Sequence, residues 1–215
     1  MSILEQLINA GRKLVDLGLS PGSSGNLSAR EGDRILVTGT GASLGQLSAS
    51  DFAEVSLDGE HLGGARASKE TPLHVGFYQR SEEHRSVIHL HSPQAVAQSC
   101  REPWAAHNAI PPLTPYYVMR VGQTPLLPYR HPGDAALGED LRSAPWPLQA
   151  ALLANHGSVV AGRDLDEAID RAVEVEEACR IALLTERHDR RELTPVQILE
   201  LATRWKSPWS GTTVE

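Results

Sequence analysis

The sequence predicts an α/β protein with a central, largely antiparallel sheet covered by helices. Three observations carry that expectation. Segments with helical apolar spacing alternate with short apolar runs of strand length, and the order is helix, hairpin strands, helix, strand, helix, irregular strands, strand, long helix. The 215 residues fit one domain, residues 1–215, and no repeat or linker divides them. With 40% hydrophobic and 22% charged residues, the composition is that of an ordinary globular chain with a sizeable core.

Ile3, Leu4, Leu7, Ile8, Leu14 and Val15 recur at helical spacing, which gives a first helix over residues 2–17, ended by Gly18 and Pro21. Gly22-Ser23-Ser24-Gly25-Asn26-Leu27-Ser28 is a polar turn leading into a short strand. Arg34–Thr38 reads as its hairpin partner, and Thr38-Gly39-Thr40-Gly41-Ala42-Ser43 ends it in a flexible loop. Ser68-Lys69-Glu70 precedes a helix over 71–80, with Pro72 in the first turn where a missing N–H costs nothing. A strand over 86–91 runs into Ser92-Pro93, a cap and first-turn proline that open a helix to about residue 99. Residues 103–133, rich in proline and poor in periodic apolar positions, read as strands and loops. Leu148 to Ala154 and Val159–Ala161 are apolar strands. Asp164 and Glu167 then cap the longest helix, whose apolar face includes Leu165, Ala168, Ile169, Ala172, Val173, Cys179 and Leu183, with Glu174, Glu176, Glu177 and Arg180 on its solvated side. A last helix starts near Thr194-Pro195, and 206–215 is expected to be a mobile tail.

The formal charge is −7, from 27 acidic against 20 basic residues without a Lys/Arg block, which argues against nucleic acid and anionic membrane as partners. Cys100 and Cys179 are too few and too far apart for a disulfide framework and read as buried free thiols. The N-terminus lacks a basic region, a long apolar core and a small-residue cleavage site, so the expected location is the cytoplasm.

His89 and His91 lie two residues apart in an apolar strand, where side chains at i and i+2 point the same way and can share one divalent metal. A third imidazole, His156, follows another apolar run in Asn155-His156-Gly157. Three histidines with an open position suit a metal that does chemistry. The alternative is a structural pair hydrogen-bonded at a strand end, with His156 in a simple turn. His61, His74, His84, His107, His131 and His188 lack such spacing and are left out of the ligand set. Glu70 stands where a helix's positive end favours a carboxylate, and either caps that helix or serves a metal as ligand or proton-transfer base. Gly25-Asn26, Thr40-Gly41 and Ser68-Lys69 are polar turns of the kind that cradle phosphate, though each also suits an ordinary turn. No Gly-Lys-Ser/Thr ending follows Thr38-Gly39-Thr40-Gly41, which disfavours nucleotide triphosphates.

In order, Gly25-Asn26-Leu27-Ser28, Thr38-Gly39-Thr40-Gly41, Ser68-Lys69-Glu70 with His74, His89-Leu90-His91 and Ala154-Asn155-His156-Gly157 resemble the class II aldolase/adducin family over about residues 5–185. That family includes fuculose-phosphate aldolase, ribulose-phosphate 4-epimerase, methylthioribulose-phosphate dehydratase and 3-oxo-tetronate 4-phosphate decarboxylase. The resemblance implies an α/β/α sandwich, usually a homotetramer with sites between subunits. It implies one Zn²⁺ or other divalent metal per subunit on His89, His91 and His156, with Glu70 as acid/base and as a ligand. It also implies a phosphate cradle of Gly25, Asn26, Thr40, Gly41 and Ser68. Lys69 departs from the second serine common in the aldolase branch. Residues 113–122 and 128–134 are most similar to the decarboxylase branch, which implies loss of carbon dioxide from a small phosphorylated sugar acid to give dihydroxyacetone phosphate. Tyr116 matches the family's proton-donating tyrosine, with Tyr117 as rival. Arg130, or Arg120, is placed in sequence to hold the substrate carboxylate. The other implied outcomes are an aldolase or epimerase and a non-catalytic scaffold like the adducin head.

Overall fold

The computed structural model describes residues 1–22 and 24–210; Ser23 of the first polar turn and residues 211–215 of the tail lie outside them. The strands are β1 (Asn26–Glu31), β2 (Arg34–Thr38), β3 (Phe52–Ser56), β4 (His61–Gly64), β5 (Ser86–Leu90), β6 (Leu126–Leu127), β7 (Ala150–Leu153) and β8 (Gly157–Gly162). They form one sheet in the order β4-β3-β2-β1-β5-β8-β7-β6. Each neighbouring pair is antiparallel except β6 with β7. The α/β/α sandwich with a mainly antiparallel sheet is therefore the observed fold.

Successive strand residues face opposite layers. Leu27, Ile88, Leu152 and Val160 pack on one side with Leu7 and Leu14 of α1 (Ile3–Asp16), Ala95 of α3 (Pro93–Ser99), Tyr117 of α4 (Pro115–Arg120) and Ala172 of α6 (Leu165–Thr185). Val37, Val87, Ala151 and Val159 pack on the other with Leu73 and Phe77 of α2 (Thr71–Arg80) and Leu137 and Leu141 of α5 (Ala136–Ser143). Residues of β5, β7 and β8 are buried throughout, as expected of strands covered on both faces, and their near-continuous apolar runs follow from that. At β7 and β8 the apolar cores of the runs mark strands of slightly different length from those expected, Ala150–Leu153 and Gly157–Gly162.

Helix α2 is fixed in place by α5. A Cβ on Gly76 would lie 2.6 Å from the Gly138 carbonyl oxygen, and one on Gly138 would lie 2.3 Å from that of Pro72. Only glycines allow this backbone approach. Helix α1 begins at Ser2 with a full capping box to Glu5, and α7 (Pro195–Trp205) begins with another between Thr194 and Gln197.

Four expectations are corrected. Residues 103–133 are not only strands and loops: Thr114 caps the helix α4, its hydroxyl accepting from the Tyr117 N–H, and β6 is only two residues long. Glu176 is not on a solvated face: its two carboxylate oxygens each accept a hydrogen bond, at 2.9 Å, from Gln94 N and Ala95 N at the start of α3. Cys179 is buried, but Cys100 is exposed. The described end of the tail is docked: Gln123 N donates to the Pro208 carbonyl at 2.9 Å, and Ser210 N donates to Gln123 Oε1 at 2.6 Å. Strands β3 and β4 and helix α5 are additional to the expected elements. No helix among the described residues is long and apolar enough to cross a membrane.

Candidate metal centre

The alternation along β5 that sends Ile88 and Leu90 towards α6 turns His89 towards α2. There His89 is buried, and its Nδ1 lies 2.8 Å from the Ser158 carbonyl oxygen on β8. A carbonyl only accepts, so Nδ1 donates and Nε2 is the ring atom turned to the cluster. His91 stands just past the end of β5 and keeps the i, i+2 relation: its Nε2 is 3.0 Å from His89 Nε2. Burial, with His89 and His156 beside it, lowers the His91 pKa to about 4, so the ring is neutral at pH 7, as a metal ligand must be.

His156 arrives from the β7–β8 connection. Asn155 adopts φ 57°, which asparagine tolerates better than most residues. A Cβ on Gly157 would sit 2.3 Å from the Leu90 carbonyl oxygen. Ser99, at the end of α3, clamps the turn: its carbonyl accepts from Asn155 N at 3.0 Å and its hydroxyl from His156 N at 3.2 Å. His156 Nε2 lies 3.0 Å from His91 Nε2.

Glu70 is the cap residue of α2 and is buried. Its Oε2 accepts from Asn26 Nδ2 at 2.8 Å and is 3.4 Å from His89 Nε2. Its Oε1 is 3.2 Å from His156 Nε2 and has no hydrogen-bond partner. Burial opposes the charge, but His156 and His89 outweigh it and pull the pKa far below the usual carboxylate range. The ligand atoms of Glu70, His89, His91 and His156 all lie within 4.8 Å of one another. Three imidazole nitrogens and an unpartnered carboxylate oxygen converging in a buried site are a donor set that fits zinc or another divalent metal.

A buried polar chain stands behind Glu70. Asn26, paired opposite His89 in the sheet, uses its Oδ1 to accept from His74 Nε2. His74 Nδ1 is 2.7 Å from Ser28 Oγ, which is 2.7 Å from the Tyr78 hydroxyl. Burial, reinforced by His89, lowers the His74 pKa to about 3. His74 is thus outside the ligand set, as expected, but it is part of the site's support. Ser28, Tyr78, Ser99 and Glu176 complete that support. Two of these were readable from spacing: Ser28 is two residues from Asn26 on β1, and Tyr78 is eight from Glu70 on α2, with His74 between at four. Ser99 and Glu176 act through contacts between distant segments that no local pattern marks.

The expected phosphate turns do meet. Thr40 N donates to the Arg66 carbonyl at 2.9 Å, Thr40 Oγ1 to that of Ala67 at 2.8 Å, and Gly39 bridges to Ala67. This lays Thr40 and Gly41 beside Ser68, whose Oγ accepts from Glu70 N at 3.3 Å. Gly25, at φ 87°, passes so close to β5 that a Cβ would be 2.8 Å from the His89 carbonyl oxygen. The Asn26 carboxamide, however, is committed to Glu70 and His74. Lys69 is exposed, with its stem across Gly133.

Tyr116 and Arg130 are not brought to this cluster. Tyr116 is 55% exposed on α4, which packs against α6 and α7, and the Arg120 guanidinium lies 5.3 Å from its ring centroid. Tyr117 is buried and donates to Asn108 Oδ1 at 2.7 Å. Arg130 makes a two-point ion pair with Asp140 of α5, at 2.7 and 3.0 Å.

Residues 5–183 match the Class II Aldolase and Adducin N-terminal domain. The chain belongs to the class II aldolase/adducin family. It is 40% identical over 203 residues to the 3-oxo-tetronate 4-phosphate decarboxylase of Haemophilus influenzae, covering 94% of this chain and 97% of that protein. Among solved structures it is similar to YgbL from Klebsiella pneumoniae, whose description leaves aldolase, epimerase and decarboxylase open. The TM-score is 0.88 and the identity 38%, over 93% of this chain and 97% of that one. An L-fuculose 1-phosphate aldolase superimposes with TM-score 0.81 at 26% identity, over 95% and 96% of the two chains.

Proposed function

We propose that this family member is a metal-dependent lyase that decarboxylates a 3-oxo-tetronate 4-phosphate to dihydroxyacetone phosphate and carbon dioxide. The observation that carries it is the convergence of Glu70 with His89, His91 and His156 in a chain 40% identical to a decarboxylase of that name. The lower identity to an L-fuculose phosphate aldolase of Methanocaldococcus jannaschii, 33% against 40%, supports carboxy-lyase over aldehyde-lyase chemistry.

His89, His91, His156 and Glu70 would hold the metal, one Zn²⁺ per subunit. When bound, it supplies Lewis-acid stabilisation of the negative charge that develops on the substrate oxygens. Gly41 with its backbone N–H and Ser68 with its hydroxyl would face the phosphate beside the start of α2, while Thr40, whose N–H and hydroxyl hold the Arg66 and Ala67 carbonyls, shapes that turn. Lys69, adjacent to Glu70, offers an ammonium to the substrate's anionic end, a role that the Asp140 pairing makes less available to Arg130. The C1–C2 bond of the β-keto acid breaks, carbon dioxide leaves, and the electron pair remains on C2 in conjugation with the C3 ketone. A proton delivered to C2 completes dihydroxyacetone phosphate. Glu70 holds or moves that proton at Oε1, the oxygen without a hydrogen bond, while Asn26 keeps Oε2 fixed. Tyr116, exposed on the α6 side, would act on the site of a neighbouring subunit in a homotetramer. The chain would work as one domain in the cytoplasm.

The test is an assay of zinc-loaded protein with 3-oxo-tetronate 4-phosphate, following carbon dioxide and dihydroxyacetone phosphate together. Equal amounts of both, lost in Glu70→Gln, support the reading. Absence of both with zinc bound would make sugar-phosphate aldol cleavage the next reaction to assay.

A further inference from the structure

We propose that His74 is a positioning residue: through Asn26 it locks the carboxylate of Glu70 so that one oxygen is held and the other is left for the metal centre. This rests on Glu70 being the reactive carboxylate of the proposed site. The direction of every hydrogen bond in the chain follows from the charge at its end. A carboxylate accepts only, so the group of Asn26 that faces Glu70 Oε2 at 2.8 Å is Nδ2, a donor. Its Oδ1 therefore faces His74 Nε2, which must carry the proton. A neutral His74 then has its lone pair on Nδ1, 2.7 Å from Ser28 Oγ, and takes the Ser28 proton. The Tyr78 hydroxyl, also 2.7 Å from Ser28 Oγ, has only the donor role left.

Asn26, Ser28, His74 and Tyr78 are all buried, so no water competes for these bonds. Turning the Asn26 amide over would set its oxygen against the Glu70 carboxylate and its NH₂ against the proton on His74. His74 thus selects one amide rotamer, and that rotamer fixes Glu70 Oε2. Oε1, which has no hydrogen-bond partner, remains. The same spacing builds the chain locally: Glu70, His74 and Tyr78 share a face of α2 at i, i+4 and i+8, opposite Asn26 and Ser28 at i and i+2 of β1.

Two measurements test this without substrate. Nitrogen-15 NMR of the His74 ring, on metal-free and zinc-loaded protein, is expected to show the neutral Nε2–H tautomer in both; a ring protonated at Nδ1 overturns the proposal. Zn²⁺ affinity, measured by competition with a chelating dye, is expected to fall about 10- to 100-fold in His74→Phe and in Asn26→Ala. The double variant should be no weaker than Asn26→Ala alone, and His74→Gln, which keeps a donor and an acceptor, should recover most of the affinity. Losses that multiply in the double variant, or unchanged affinity in the single ones, overturn it. Should His74→Phe fail to fold, Ser28→Ala replaces it in the cycle with the same expectation. A wild-type protein that decarboxylated nothing while passing both tests would fail the proposed function and leave the positioning role standing.

Discussion

Glu70 and Tyr116, the two residues proposed for proton transfer, stand in opposite physical situations. Glu70 is buried at the end of α2, with one oxygen held by Asn26 and with His89 and His156 within 3.4 Å. Tyr116 is 55% exposed on a six-residue helix, and its close neighbour is Arg120 of the same helix. The first is organised by contacts within a single chain. The second has its ring open to whatever meets that surface. On the proposed function, such a site would have a metal end completed within each chain and a proton-donor end that depends on assembly.

The metal end is broken most directly at His91. It lies past the last residue of β5 and is only partly buried, so His91→Ala removes a ligand at modest cost to the fold. We expect zinc content to drop and turnover to fall on the order of 10³-fold, as loss of several kcal/mol of Lewis-acid stabilisation requires. Zinc content by elemental analysis, beside the carbon dioxide assay, measures both. Activity within tenfold of wild type would show that this cluster is not the reactive one.

Tyr116→Phe tests the other end. General acid catalysis contributes roughly 10²-fold or more, so a loss of that order in turnover is expected with zinc content and melting temperature unchanged. The sharper experiment mixes the two lesions. If Tyr116 serves a neighbouring subunit, co-assembly of His91→Ala with Tyr116→Phe chains creates some sites with both groups intact, and activity returns. No recovery from a confirmed mixed oligomer would place the tyrosine's action within its own chain or nowhere.

The same contrast explains what could be read from the sequence. Strand β2 and helix α2 were legible to the residue, β2 from its short apolar run Arg34–Thr38 and α2 from the start signals Ser68-Lys69-Glu70 and Pro72. His89, His91 and Glu70 were legible because strand phase and helix-start position are local facts. Asn26 was legible as a site residue, but not as the partner of Glu70, since that depends on β1 lying beside β5. The choice between Tyr116 and Tyr117 was not legible at all. Adjacent residues on a short helix differ in burial only through what the helix packs against, and here Tyr117 enters the core cluster that holds the apolar face of α6. The Arg130 pairing was hidden for a similar reason: its partner Asp140 sits on α5, which is brought to α2 by Leu137, Leu141 and Gly138, a contact between segments distant in sequence.

A pH titration of stability compares the buried support of Glu70 with the solvent-facing remainder. In the folded, metal-free protein burial lowers the His74 pKa to about 3, whereas in the unfolded chain it sits near 6.5. Between those values the unfolded state binds a proton that the folded state refuses. The stability is therefore full above pH 6.5 and is lost as the pH falls towards 3, at about 1.4 kcal/mol per pH unit. By pH 4.5 this amounts to about 2–3 kcal/mol. Urea unfolding of wild type and His74→Gln at several pH values isolates it, because other titrating groups are common to both. Parallel pH profiles would mean that His74 is protonated in the folded protein, against the neutral ring that the Asn26 bond requires.

The smallest expected effect separates the two tyrosines by stability rather than by rate. The Tyr117 hydroxyl is buried and donates to Asn108 Oδ1, which also accepts from Thr124 N at 2.8 Å. Tyr117→Phe therefore removes one of two bonds to that oxygen and leaves it partly satisfied, at a cost of about 1 kcal/mol. In a chain of this length that lowers the melting temperature by about 2–4 °C. Turnover per folded molecule should not change. Tyr116→Phe removes a hydroxyl from an exposed ring and should leave the melting temperature where it is while lowering turnover. If instead Tyr117→Phe slowed the reaction and Tyr116→Phe only shifted the melting curve, the buried ring would be the one that reaches substrate, and the division between a self-contained metal end and an assembly-dependent proton donor would fall.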